Sequence, residues 1–420
     1  MQNSTARTPA AISETMGLVE QSVQRLHGWL LTNGWEGYDP YDIRGLPRFI
    51  HPKSVSDRAL RYISRCSELL FPYAVRRIFR VRPAVNAKGM ALFAEGYRLL
   101  YETTGHEPYL RRGKEALEWL VAHRNDRFSH FCWGYPFDWQ SRVLIPKGTP
   151  SSVVSATAGH AFWGFYRMTG DARYLDVCRS ICEFFINDLN IDHLRGNKLC
   201  FSYTPIDHFH VHNANLFAAE FLIRIGLETD ATNYVDYGMR AVAYALSEQN
   251  DNGSLCYWGW DQDPTCRIDH YHSGFEIRSL YAVWQSTHDS DVYRATEAYY
   301  SFYLRNLFDG NGRVKLTPTR FYPINIHSCA EAILCQSTLA PEFPQSWDCM
   351  QRSVPWILHT MQRPDGAFVY MIRKRGPIRW SVKIPYIRWG QAWMLRALAQ
   401  LYYLASKHKP PSSARPHPSS

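Results

Sequence analysis

From residue 86 to residue 404 the apolar positions recur with the 3.6-residue period of packed helices. Met90, Phe93, Tyr97, Leu100 and Tyr101 share one face of one segment, and Leu110, Leu117, Leu120 and Val121 share one face of the next. The stretch Trp389 to Leu404 is apolar on nearly every side, as in a helix enclosed by others, whereas Arg111, Arg112, Lys114 and Glu115 give the second segment a solvent face. The alternation predicts inner helices, each followed by an outer one.

The stops between them repeat. Thr104-Gly105 precedes Tyr109, Thr169-Gly170 precedes Tyr174, Thr229-Asp230 precedes Tyr234 and His288-Asp289 precedes Tyr293, with the tyrosines 65, 60 and 59 residues apart. Each reads as a helix end, a short turn and a new helix start. Asn252-Gly253, Asn311-Gly312 and Asp365-Gly366 supply tight turns followed by aromatic or β-branched runs, which predict short strands in the loops. A small residue opens each inner helix: Gly89, Gly159, Ala214, Gly274, Cys329 and Gly390. Hairpins that cannot bury their apolar faces alone must stack, and about six of them close into a ring, an all-α (α/α)6 toroid. The expected layout is one domain over 13–405. Its first outer helix runs from about Asp57 to Phe71, with an extra helix ahead of it from about Ser13 to Leu31. Ser/Pro-rich termini, 1–12 and 406–420, are expected to be disordered.

Composition sharpens this picture. With 14 Trp and 26 Tyr in 420 residues, the chain holds more polar-edged aromatics than a core readily satisfies, which points to an open cleft lined by ring faces. A net charge of +9 suits an anionic partner or plain solubility. Zinc-finger spacing, RNP motifs and basic heptads are absent, so no nucleic-acid partner is expected; the Asp-rich cluster or zinc site that isoprenoid chemistry needs is absent too. The ten cysteines form no disulfide framework and are expected to be reduced, with Cys178 and Cys182 four apart in an apolar helical pattern as core. Neither a signal sequence nor an apolar run of about 18 residues is present, so a cytoplasmic protein without a membrane span is expected.

In such a ring the loops entering the inner helices meet at one end, and here they carry chemistry. Aromatic faces stack on pyranose rings while amides, imidazoles and carboxylates bond the hydroxyls. This assigns sugar binding to Trp133, Tyr135, Trp139, Gln140, His212, Asn213, Tyr271, Glu276, Arg388, Trp389 and Gln391. Two catalytic arrangements are open. Asp138 and Asp269 could pair as acid and base for glycoside hydrolysis. Alternatively Tyr203, His272 and His327 could remove and return the C5 proton of a uronate whose carboxylate Arg388 neutralises. Any one His or Ser at a helix start is ordinarily a cap or a satisfied buried group; five loops enriched together are not explained that way. His208, His210 and His212 alternate, but no acidic partner follows at metal-site spacing, so neither a metal nor another cofactor is expected.

The stretches Trp133–Ser141, Cys200–Pro205, Asp269–Phe275, Tyr322–Ser328 and Lys383–Trp393 resemble those of bacterial proteins encoded in exopolysaccharide and capsule clusters, within the six-hairpin glycosidase-like superfamily. The resemblance implies a carbohydrate-active enzyme that processes a cell-surface polysaccharide or its precursor, as an epimerase, lyase or glycoside hydrolase, with a polysaccharide or oligosaccharide, acidic in the uronate case, as partner. A non-catalytic glycan-binding or assembly protein is the alternative. Glucuronyl C5-epimerases are more distantly similar, through Asp269-His270-Tyr271-His272. Members of the family often carry Asp where this chain has Asn325.

Overall fold

The computed structural model describes residues 9–407. The remainder of the expected disordered termini, 1–8 and 408–420, lies outside them. Helices α1 (Pro9–Asn33), α2 (Pro47–Ile50), α3 (Val55–Glu68) and α4 (Pro72–Ile78) come first. Five hairpins follow: α5 (Ala87–Thr104) with α6 (Glu107–Ala122), α7 (Ser152–Thr169) with α8 (Ala172–Asn187), α9 (His212–Glu228) with α10 (Thr232–Ser247), α11 (His270–Thr287) with α12 (Ser290–Asn306), and α13 (Ile326–Leu339) with α14 (Gln345–Met361). A π-helical turn, Ile387–Ala392, leads into α15 (Trp393–Lys407). The inner helices α5, α7, α9, α11, α13 and α15 each pack on the next, and α15 packs back on α5, so the ring is closed.

Side-chain caps mark the starts of four inner helices. Asn86, Ser151, Asp269 and Asn325 accept N–H bonds from the first turns of α5, α7, α11 and α13, so these inner helices start at one end of the ring. At the other end Gly105, Gly170, Asp230 and His288 take left-handed φ values of 68°, 72°, 53° and 55°, where the chain reverses into the outer helix. The small residues inside the inner helices permit close approach: a Cβ at Gly159 would lie 2.4 Å from the Phe221 ring, and one at Gly274 2.4 Å from Glu331.

One expectation needs correction. The sixth outer helix is α1, which packs on α14 and α15 and buries Val19, Val23, Leu26 and Leu30 along one face. Each such side chain contributes about 1.5–3 kcal/mol. Gln362 donates to the Ser22 carbonyl at 3.0 Å, and His27 Nδ1 lies 2.9 Å from the Tyr97 hydroxyl, so the first helix closes a ring whose last helix lies some 360 residues on. The segment expected as the first outer helix is instead α3, part of a cap (α2–α4) with its own small core of Ile43, Phe49 and Val75.

Short strands sit in the loops, as expected, but the runs after the Asn-Gly and Asp-Gly turns form only isolated bridges at Trp258, Val314 and Phe368. The strands are β1 (Trp139–Gln140) with β2 (Leu144–Ile145), β3 (Ile191–Leu194) with β4 (Lys198–Phe201), and a sheet of β5 (Ile324–Asn325), β6 (Met371–Arg375) and β7 (Ile378–Val382), all antiparallel. The expectation of free thiols fails at one pair, because Cys256 and Cys266 are bonded and close a loop of the mouth; the other eight cysteines are free. Among the described residues no helix is long and apolar enough to cross a membrane.

Candidate active site

The ring has its mouth where the inner helices begin, and a cavity of about 100 Å³ opens there. Its wall follows from the caps. The second residue of every inner helix faces it: Lys88 of α5, Val153 of α7, Asn213 of α9, Tyr271 of α11, His327 of α13 and Arg388 of the π-helical turn before α15. Loops add Tyr135, Phe137, Trp139, Tyr203 and Tyr257, and the segment ahead of the cap adds Tyr41. Six helix N-termini therefore point their positive dipole ends at one small space.

Two imidazoles define its chemistry. Asp269, the N-cap of α11, accepts the His272 N–H at 3.0 Å and lies 2.6 Å from His272 Nδ1. This fixes the ring with Nε2 free for the cavity, the base-and-orienter arrangement of catalytic histidines. His327 differs: it is fully buried, and neither ring nitrogen has a hydrogen-bond partner among the described residues. Burial, followed by the charges of Lys88 and Arg388, holds it well below the usual imidazole range, so it is neutral. Packing fixes it. Its ring stacks on Tyr271 at 4.6 Å and 5°, and the His272 ring lies 4.3 Å from the same tyrosine. Asn325 caps α13 by accepting the His327 N–H at 2.8 Å. It therefore positions His327.

Two cations share the wall on different terms. Arg388 donates to both Asp39 oxygens, at 2.6 and 2.8 Å. Burial works against its charge, but Asp39 outweighs it and raises the guanidinium above its ordinary value. Lys88 is as deeply buried, yet no carboxylate lies within ion-pair distance among the described residues. Its amine sits among the rings of Trp393, Phe275 and Phe217 at 5.2, 5.5 and 5.9 Å. Burial, then the Arg388 charge, push it well below its ordinary value. The same three rings, with Phe275 in contact with both others, form a floor that separates the mouth from the lower part of the ring.

No protein-family model and no curated protein matches the chain. Solved structures match its shape at low identity. The cellobiose 2-epimerase of Spirochaeta thermophila shares 13% identity over 78% of this chain and 89% of its own, with a TM-score of 0.58. A glycoside hydrolase family 76 mannosidase of Bacteroides thetaiotaomicron shares 11% over 93% of this chain and 100% of its own, at 0.59. A D-mannose isomerase shares 12% over 77% and 87%, at 0.57. The shared fold is the (α/α)6 toroid.

The toroid gathers nine of the sixteen residues singled out from sequence: Tyr203, His272, His327, Tyr135, Trp139, Asn213, Tyr271, Arg388 and Trp389 line the cavity. Asp269 stands behind His272. The other six lie outside the wall. Asp138 accepts the Lys147 N–H within its own loop and is absent from the wall, so it does not face Asp269. Trp133 is core, its indole N–H donated to the Leu120 carbonyl. Gln140 is exposed and bonds Ser141. His212 packs on Tyr244, and burial lowers it to about 3. Glu276 accepts the Tyr299 hydroxyl at 2.5 Å, and burial raises it well above the carboxylate range. Gln391 bonds both the N–H and the carbonyl of Phe368. Arg388 reaches the cavity already neutralised by Asp39, which corrects its expected role as the free cation. Lys88 and Tyr41 were missed. Lys88 was legible in principle: it lies two residues after the cap Asn86, as Tyr271 and His327 lie two after Asp269 and Asn325. Among the described residues no group of His, Cys, Asp or Glu has metal-site geometry; His208 and His210 instead share Asp192.

Proposed function

We propose that the chain is a carbohydrate-active enzyme that transfers a proton at the carbon next to a uronate carboxylate, with His327 and His272 as the transferring pair. The observation that carries this is the pair itself, one imidazole neutral and unpartnered, the other backed by Asp269, both on one small aromatic cavity. With the sugar ring seated in the cavity that both line, His327 takes the C5 proton and the C–H electron pair delocalises into the carboxylate. Lys88, which a bound carboxylate draws into its ammonium form, and the six helix N-termini balance that charge. His272, as imidazolium with Asp269 behind it, returns a proton to C5 and restores the electron pair to a C–H bond. Exchange with water through the mouth then resets both rings. Burial raises Tyr203 and Tyr271 well above the ordinary phenol value, so they serve as hydrogen-bond donors to the sugar and not as bases.

Hydrolysis fits less well, because it needs two carboxylates flanking the bond. Asp269 is committed to His272, and Asp138 and Glu276 lie outside the wall, bonded to the Lys147 N–H and the Tyr299 hydroxyl. The names of the structural neighbours, epimerases and an isomerase beside glycoside hydrolases, support carbohydrate chemistry, and the choice of proton transfer rests on the two imidazoles. The loop motifs support a cell-surface polysaccharide or its precursor as the source of the sugar, and the closed floor favours a chain end over a threaded chain. Incubation with uronate-bearing and neutral oligosaccharides in deuterated water, read by NMR and mass spectrometry, tests the reading. Deuterium at C5 of the uronate is expected. Deuterium at C2 of a reducing aldose replaces the substrate, and a new reducing end without deuterium overturns the mechanism.

A further inference from the structure

Helix α3 is amphipathic in the wrong sense for a solvent-facing element. Its inward face is polar: Asp57, Ser64 and Glu68 are buried. They are drawn in by arginines, Asp57 by Arg48, and Glu68 by Arg76, which is itself 0% exposed. The outward face is apolar, with Val55, Ala59, Tyr62 and Cys66 one helical turn apart and Ile63 beside them. Tyr62 is 71% exposed, and the stripe continues through Phe71 at 63% and Ile78 at 73%. A contiguous exposed apolar strip of this kind marks an interaction surface.

Charge identifies the partner. Residues 44–82 hold ten Lys or Arg against two acidic residues, a net +8 of the chain's +9. Only Arg48 and Arg76 of the ten are in ion pairs among the described residues; Arg58 and Arg65 flank the stripe on α3 itself. Aromatic and aliphatic side chains between unpaired arginines are the composition of a helix lying in the plane of an anionic bilayer, where each basic residue contributes about 1 kcal/mol. A second copy of the chain would set the same excess positive charge against itself. A free acidic polysaccharide would answer the arginines and leave the apolar stripe in water.

We propose that residues 55–78 dock the protein on an anionic lipid surface, with the mouth of the toroid beside the membrane. The cap is joined to that mouth directly. Tyr386 donates to Glu68 and receives from Arg76, both at 2.8 Å, one residue ahead of the π-helical turn that carries Arg388. This geometry presents the cavity to a saccharide held at the membrane, independently of which bond the cavity changes.

Flotation of the full chain with vesicles tests it. Binding is expected to phosphatidylcholine vesicles containing phosphatidylglycerol and not to phosphatidylcholine alone, and it weakens as salt is raised. Tyr62→Ser with Ile63→Ser, and separately Arg58→Glu with Arg65→Glu, each lower it by about tenfold or more. Both pairs are exposed, so the thermal transition stays in place. Failure to float with anionic vesicles overturns the proposal. So does binding untouched by Tyr62→Ser with Ile63→Ser, which is simple charge adsorption. A dimer in light scattering that these substitutions convert to monomer assigns the stripe to self-association instead.

Discussion

The ring holds a second void, and the two ends of the molecule make an instructive pair. Below the aromatic floor lies a space of about 330 Å³, larger than the mouth cavity of about 100 Å³. It is lined by Arg98, His160, Arg224, Arg278 and Arg396, a set that by charge alone resembles a binding site. Every one of these is already answered. Arg98 bonds Glu95 and Glu102, Arg224 and His160 share Glu220, Arg278 forks onto the fully buried Glu331, and Arg396 shares Glu95 and bonds Gln400. At the mouth, both nitrogens of His327 and the Asn213 carbonyl oxygen have no such partner, and among the described residues no carboxylate lies within ion-pair distance of Lys88. Buried polar groups are normally satisfied within the protein. Size and charge therefore do not separate function from scaffold here; whether every lining cation and imidazole is already paired does.

The sharpest way to break that contrast is to change one residue at each end. His327→Phe fills the same aromatic niche and abandons no hydrogen bond, so the melting temperature should hold or rise. Proton transfer at C5, followed by deuterium incorporation, should fall by about 10²–10⁴-fold. Glu331→Ala should do the reverse. It strands Arg278 without its carboxylate and lowers unfolding free energy by about 3–5 kcal/mol in denaturant titration, while the folded fraction keeps its activity. A destabilised His327→Phe, or a Glu331→Ala protein that is stable and inactive, exchanges the roles of the two ends.

Lys88→Met is the intermediate case, because Lys88 is scaffold-neutral at best. In the folded chain its amine is buried without a carboxylate in ion-pair distance and binds its proton less readily, whereas in the unfolded chain it binds a proton at any pH below the ordinary 10.5. That uptake favours the unfolded state at neutral pH and fades as pH rises towards 10.5, so wild-type stability should climb over this range. Lys88→Met, which has no proton to gain, should be more stable at pH 7 by about 1–2 kcal/mol, with the gap closing at alkaline pH, and should lose uronate turnover. Equal stability at pH 7 would mean that the amine has found a partner in the folded protein.

The ring itself was legible because caps and turns are local. Asn86, Asp269 and Asn325 at the starts, and Gly105, Gly170 and His288 at the stops, declare themselves within a few residues. Closure by α1 was not, since nothing near Val19 to Leu30 records that its partners are α14 and α15. The inverted face of α3 was read as an ordinary outer helix, because periodicity reports that a stripe exists and not which way it turns. The candidate site was legible as a set of loops but not residue by residue. Trp133 and Trp139 share a motif, yet one donates into the core and the other meets Tyr203 edge-on at the cavity, and only the loop's path between them decides which.

Asp138→Asn should have the smallest effect of all, and it tests that distinction most directly. The Asp138 side chain accepts a backbone N–H from Lys147, and Asn offers a carbonyl oxygen in the same place. Stability should move by no more than about 0.5 kcal/mol, the scale of a substitution that breaks no buried feature. Turnover should stay within about twofold, because proton transfer between His327 and His272 uses no second carboxylate. If kcat collapses in a protein that melts normally, Asp138 reaches the substrate after all. The β1–β2 loop then closes over the mouth when sugar binds, and the paired-carboxylate chemistry of a hydrolase becomes the better account of the whole site.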